Sequence, residues 1–231
     1  MKTIGLIGGM SWESTVLYYR TINEAIKFRL GGLHSAKIIL YSVDFHEIES
    51  LQRVGDWDSA GAMLASAAKS LETAGAQCLV LCTNTMHKVA SKLEAAVSVP
   101  LLHIADATGA VISKSGFSTV GLLGTRFTME QPFYRERLVQ GFGLDVIVPP
   151  EGDRELIHRV IYEELCRGVT SAQSRSEFRR IMEALAAQGA QAIILGCTEI
   201  SLLVGTPDAS VPLFDTTAIH GLAAAEFALA S

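Results

Sequence analysis

The chain has 231 residues, 49% hydrophobic and 19% charged, with a formal net charge of −5. That balance supports a buried core, argues against disorder, and leaves no electrostatic footprint for nucleic acid or an anionic membrane surface. No apolar run approaches the roughly 20 residues that span a bilayer, and the opening "MKTIGLIGGM" reads as a first strand, not a signal peptide, so a cytoplasmic location is expected.

Taken in chain order, short runs rich in Val, Ile and Leu alternate with longer helix-like segments. The runs are 3–7 (TIGLI), 37–43 (KIILYSV), 78–82 (CLVLC), 100–103 (PLLH), 118–123 (STVGLL), 145–148 (DVIV), 191–195 (QAIIL) and 211–214 (VPLF). They do not alternate apolar with polar, which is how parallel strands buried on both faces read. "GLIGGM" (5–10) lacks GxGxxG spacing and reads as a tight strand-to-helix turn, with Ser11 as the next helix's N-cap and Glu13 in its first turn. One helix is predicted over 57–74, after Asp56 and before Gly75; another over 174–188, before Gly189. The alternation predicts an α/β fold with mainly parallel sheet.

The four cysteines, Cys78, Cys82, Cys166 and Cys197, include no CxxC pair. Cys78 and Cys82 have no matching Cys/His pair at zinc-site spacing, so no metal site is expected.

The chain also repeats itself. "GAQCLVLCTNT" (75–85) lies over "GAQAIILGCTE" (189–199) without a gap, "VPLLH" (99–103) over "VPLFD" (211–215), and "TIGLIGG" (3–9) over "TVGLLGT" (119–125). Three matches in one order at similar offsets predict two similar α/β halves: residues 1–103 plus 216–231, and residues 104–215. The repeat sets Thr83 opposite Cys197, Asn84 opposite Thr198 and Thr85 opposite Glu199, each just past the carboxyl end of a strand, where open α/β sheets collect ligands. If the halves face each other about a pseudo-two-fold axis, a substrate in one cleft meets Thr83 on one side and Cys197 on the other.

Two proton-handling groups on opposite faces of one carbon are what a racemase or epimerase needs. A thiolate can serve as one of them, since a free thiol has a pKa of about 8.5 and its surroundings can lower that. Asn84, Thr85, Thr198 and nearby backbone N–H groups are of the right type to hold the carboxylate of a developing carbanion.

With these residues in view, the chain resembles the aspartate/glutamate racemase superfamily, most closely its aspartate racemase branch, and within it the enterobacterial subgroup of acidic or broad-specificity amino-acid racemases. The resemblance runs over essentially the whole chain. "IILGCTEISLL" (193–203), "LCTNTMHK" (81–88), "IGLIGGMSWEST" (4–15), "GLLGTRFTM" (121–129) and "PLFDTTAIH" (212–220) carry it. It implies a PLP-independent, cofactor-free racemase of two-domain α/β fold, with the active site between the domains and one thiol from each. It also implies an amino-acid substrate contacted by Met10 and Gln52, and commonly a homodimer.

The sequence departs from the two-thiol pattern. The first catalytic thiol would directly precede Asn84, and that position is Thr83; Cys82 lies one residue earlier, and its side chain points to the other face of an extended segment. A threonine hydroxyl is a far weaker acid than a thiol. The expectation is a lopsided racemase, with Cys197 the competent base and, by resemblance to members carrying this threonine, the L form favoured. A lysine that relatives acting on two-carboxylate substrates often place near 161–168 corresponds to Cys166, beside Arg167, which leaves room for substrates beyond aspartate.

Other candidates carry plainer alternatives. Gln52 is either a solvated polar residue or a substrate contact. Arg53 and Arg126 are either surface residues or carboxylate anchors. His87 is either a histidine at a helix start satisfied by a neighbour or a group that polarises Thr83 or binds substrate. His103 and Asp215 hold equivalent strand-end positions and could tune the neighbouring group; Asp106 is a weaker candidate. Glu199, whose charge would raise the thiol's pKa if it faced Cys197, reads as a backbone organiser or a contact for the substrate ammonium. The competing functions are a maleate isomerase or arylmalonate decarboxylase type of reaction, and a small-molecule-binding protein on a racemase scaffold that has lost its first thiol.

Overall fold

A computed structural model of the chain describes residues 1–230. Two compact units emerge: Met1–Ile104 with the chain from His220 onward, and Ala105–Ile219.

The first unit begins with β1 (Ile4–Gly8), α1 (Trp12–Leu30), β2 (Ile38–Ser42), α2 (Phe45–Val54) and α3 (Trp57–Thr73). It continues with β3 (Cys78–Leu81), a 3-10 turn over Thr85–Val89, α4 (Ala90–Glu94) and β4 (Leu101–Leu102). The strands form one parallel sheet in the order β2-β1-β3-β4. Alternation along the strands sorts its two faces. Ile7, Leu79 and Leu81 pack with Ile48 of α2 and Leu64, Ala67, Ala68 and Leu71 of α3. Ile4, Leu6, Cys78, Val80 and Cys82 pack with Tyr18, Ile22 and Ile26 of α1 and with Ala224, Ala225 and Ala228 near the C-terminus. Each fully buried Leu or Ile contributes roughly 1.5–3 kcal/mol, so the central strands β1 and β3 anchor the unit.

The second unit contains α5 (Ile104–Lys114), β5 (Thr119–Gly124), α6 (Arg126–Glu130), α7 (Pro132–Phe142), β6 (Asp145–Ile147) and α8 (Glu151–Glu163). Then follow a 3-10 turn over Leu165–Arg167, α9 (Ala172–Ala187), β7 (Ala192–Gly196), α10 (Ile200–Leu203) and β8 (Leu213–Asp215). Helix α11 (Thr216–Leu229) begins here and continues into the first unit. The sheet order, β6-β5-β7-β8, repeats that of the first sheet strand for strand, again with parallel pairing.

The predicted caps form where the residue types require them. Ser11 accepts from the Ser14 N–H and Asp56 from the Ser59 N–H. Gly75 and Gly189 take φ of 99° and 104° just past α3 and α9. Helix α9 starts two residues earlier than its apolar pattern suggests, because Ser171 accepts from the Ser174 N–H at 3.0 Å, an N-cap worth about 1 kcal/mol. The expectation of burial on both faces fails for β2. As an edge strand it leaves Leu40 46% and Tyr41 43% exposed.

Candidate active site

In the first unit, the segments past the carboxyl ends of β1 and β3, together with helix α2, carry candidate residues. After β1 the chain turns through Gly9, whose φ is +93° and whose absent Cβ would lie 2.2 Å from the Val43 carbonyl oxygen, so only glycine fits. Its N–H donates to Thr15 Oγ1 at 2.9 Å. Met10 and Ser11, joined by a cis peptide bond, are both buried. After β3, Thr83, Asn84 and Thr85 are all buried. The Thr83 N–H donates to the Leu81 carbonyl at 2.8 Å, and the His87 N–H to that of Asn84 at 3.1 Å, which winds the segment into its 3-10 turn. Gln52 is buried on α2 and its Nε2 donates to Met86 Sδ at 2.9 Å, so the reading of a solvated Gln52 is incorrect: the side chain is held against that same turn. His87 bonds the Thr83 carbonyl from Nδ1, at 2.7 Å, and not its hydroxyl.

Cys82 is fully buried on the α1 face, with Sγ 3.7 Å from the Val80 carbonyl, and burial alone pushes its thiol far above the usual range. Burial likewise pushes Cys78 up to about 11. Cys82→Ala is therefore expected to leave α-proton exchange within about twofold of wild type while costing about 1 kcal/mol through the small cavity it opens. NMR exchange rates and a denaturant melt check both; a large loss of exchange in folded protein would return Cys82 to the chemistry.

In the second unit, β7 delivers Cys197, Thr198 and Glu199 in succession, all buried. Gly196 permits the close approach of β5 and β7, since a Cβ there would meet Leu122 Cδ1 at 2.7 Å and the Leu123 carbonyl at 2.8 Å. Glu199 faces the thiol. Its Oε2 accepts from Cys197 Sγ at 2.9 Å and from Thr198 Oγ1 at 2.8 Å, so a role confined to the backbone or the substrate ammonium is too narrow. Burial raises the Cys197 thiol well above its ordinary value, and the Glu199 charge, the nearby Cys166 and the hydrogen bond to Glu199 raise it further. Cys166 sits half-buried in the Leu165–Arg167 turn.

The remaining candidates lie at the surface or bond to other groups. Arg53 lies 4.0 Å from Glu49 and is largely exposed. Arg126 is exposed, and its N–H donates to His158 Nδ1 at 3.3 Å. Asp106 makes a two-point pair with Arg137 at 2.6 and 2.7 Å. Asp215 Oδ1 accepts from the Thr217 and Ala218 N–H groups at 2.8 and 3.3 Å, capping α11. Sequence reasoning missed Thr217. Its hydroxyl is buried with no hydrogen-bond partner among the described residues. Extending the Leu195–Asp215 register by two residues brings it level with Cys197. The signal was available in "PLFDTT", the strand end that repeats "PLLH".

Among the described residues there is no group of three or more His, Cys, Asp or Glu side chains placed to hold a metal ion, and no helix is long and apolar enough to cross a membrane. The chain is similar to known proteins along most of its length. A protein from Yersinia pestis, provisionally described as an Asp/Glu racemase, is 63% identical with both chains covered entirely and a TM-score of 0.92. An aspartate racemase homologue from Pyrococcus horikoshii OT3 is 36% identical over 99% of both chains, with a TM-score of 0.84. The broad-specificity amino-acid racemase RacX of Bacillus subtilis is 25% identical over 93% of each chain. Residues 7–224 match the family described as Asp/Glu/Hydantoin racemase, and the chain belongs to that family and is an amino-acid racemase.

Proposed function

We propose that the protein racemises L-aspartate or L-glutamate, or a broader set of amino acids, without PLP. Cys197 acts as the thiolate base at Cα and Thr83 as the weak proton-handling group on the opposite face of that carbon. The observation that carries this reading is the repeat: in two sheets of identical strand order, Thr83 and Cys197 occupy matching positions past matching strands β3 and β7. Met10, Gln52, Asn84, Thr85, Thr198 and Glu199 bind the substrate, joined by the Thr217 hydroxyl. A carbanion at Cα is stabilised by donors to its carboxylate, and the hydroxyls of Thr85, Thr198 and Thr217 together with the Asn84 amide supply that chemistry. The active species is a homodimer, for which light scattering would give twice the 24.8 kDa of the chain.

Glu199 sets the resting state. With its carboxylate against Sγ the cysteine is a neutral thiol, and a substrate ammonium group beside Glu199 offsets the negative charge that disfavours the thiolate. Binding thus activates the base. Removing the charge has a defined sign. Glu199→Gln deletes an interaction that raises the Cys197 pKa, so the midpoint for alkylation of Cys197 by iodoacetamide moves to lower pH than in wild type. Peptide mapping by mass spectrometry across a pH series reads this, and an unmoved or upward-shifted midpoint contradicts it. The reaction as a whole is tested by solvent deuterium entering Cα of each enantiomer.

A further inference from the structure

We propose that His87 is the positioning residue of Thr83, acting as a neutral imidazole through the threonine's carbonyl. This rests on the reading of Thr83 as the second proton-handling group. His87 is 3% exposed. Its Nδ1 lies 2.7 Å from the Thr83 carbonyl oxygen, and a carbonyl only accepts, so Nδ1 carries the proton. Its Nε2 lies 3.2 Å from the Ile104 backbone nitrogen, and a backbone N–H only donates, so Nε2 is bare. Both ring nitrogens are therefore committed to backbone. Protonation would set N–H against N–H at Ile104. That arrangement separates His87 from the reacting proton: it is not a third base, and it does not reach the Thr83 hydroxyl.

What His87 holds together gives the arrangement its purpose. One bond closes the turn from Thr83 to His87. The other caps the start of α5, whose first N–H groups have no partner within the helix. Around it, His103 packs edge-on at 4.4 Å and His220 at 5.8 Å. His220 donates from Nε2 to the Leu102 carbonyl at 2.7 Å and accepts from the Tyr18 hydroxyl at Nδ1, 2.9 Å away; burial keeps it neutral, with its pKa pushed down to about 4. The chain leaves the first unit after Ile104 and re-enters it at His220. The cluster that fixes the Thr83 turn thus also fixes both points at which the chain departs from and returns to this unit. A proton-transfer group displaced by about 1 Å can lose on the order of a hundredfold in rate, so a braced turn is what a weak acid such as a threonine hydroxyl needs.

Two near-isosteres separate the two bonds in the full chain. His87→Asn keeps a donor where Nδ1 stood, facing the Thr83 carbonyl, and loses the Ile104 bond. His87→Gln keeps an acceptor where Nε2 stood, facing the Ile104 N–H, and loses the Thr83 bond. The readout is a ratio. With L-aspartate in D2O, deuterium incorporation with retention reports Cys197 alone, and inversion reports delivery from the Thr83 side. The inversion-to-retention ratio is expected to fall about tenfold or more in His87→Gln and to stay within about twofold in His87→Asn. The ratio is set within each active molecule, so it does not depend on how much of a variant folds. Equal ratios in the two variants, or a parallel loss of retention and inversion, would overturn the positioning role. Thr83→Ala is the control: if it leaves the ratio unchanged, the Thr83 reading has failed, not the His87 one. A measurement on the unmodified protein stands beside these. Nitrogen NMR of the His87 ring is expected to show a protonated Nδ1 and a bare Nε2 at neutral pH, and the opposite tautomer or an imidazolium would overturn the proposal.

Discussion

Cys197→Ser is expected to lower α-proton exchange from L-aspartate by about 10³-fold or more, in line with the 10²–10⁴ that a positioned general base contributes and with the much weaker acidity of a hydroxyl. The fold has little reason to respond. The residue is buried at the end of β7, and a serine hydroxyl can still donate to Glu199 Oε2, which now accepts from Sγ at 2.9 Å. Stability should change by no more than about 1 kcal/mol. Exchange followed by NMR alongside a thermal melt separates the two effects. A folded variant that keeps wild-type exchange would remove Cys197 from the chemistry.

Thr83→Cys is expected to act in the other direction. It gives the first half-site the acid that the repeat leads one to expect, and exchange from the D enantiomer should rise about tenfold or more. One thermodynamic constraint shapes this test. The two enantiomers have equal free energy, so kcat/KM for inversion must be the same from either side, however unequal the two catalytic groups are. Inversion should therefore rise from both enantiomers in Thr83→Cys, while the imbalance between groups shows only in exchange with retention and in kcat. Thr83 is buried, and the substitution trades a methyl and a hydroxyl for a thiol of similar bulk, so the protein should still fold. If D-exchange does not move, Thr83 is not what limits the slow side.

Much of this was legible in the sequence because it depends on residue pattern. Non-alternating Val, Ile and Leu runs announced the parallel sheets, Ser11 and Asp56 their helix starts, and the three aligned segments the repeated strand order. Alternation along β3 separated Cys82 from Thr83, and Cys82 does pack on the α1 face with Val80 and Tyr18. What stayed hidden depends on three-dimensional neighbours. Gln52 reads as polar and solvated because its own helix is polar around it; its burial comes from Met86, 34 residues away. The direction of the Glu199 carboxylate is set by rotation of one side chain in a short turn, which spacing does not encode. The histidine cluster draws His87, His103 and His220 from three distant stretches, and only the packed unit brings their rings together. Edge exposure of β2 depends on strand order, which a run of apolar residues does not state.

The most direct test of an asymmetric two-group racemase is to incubate L- and D-aspartate, and L- and D-glutamate, separately with the protein in D2O and follow loss of each α-proton by NMR. The expected result is faster loss from the L form, with retention outrunning inversion, and near-complete loss of exchange in Cys197→Ser. Equal exchange from both enantiomers would contradict the asymmetry assigned to Thr83 and Cys197, and no exchange from any of the four, nor from a wider amino-acid panel, would contradict proton transfer at Cα altogether.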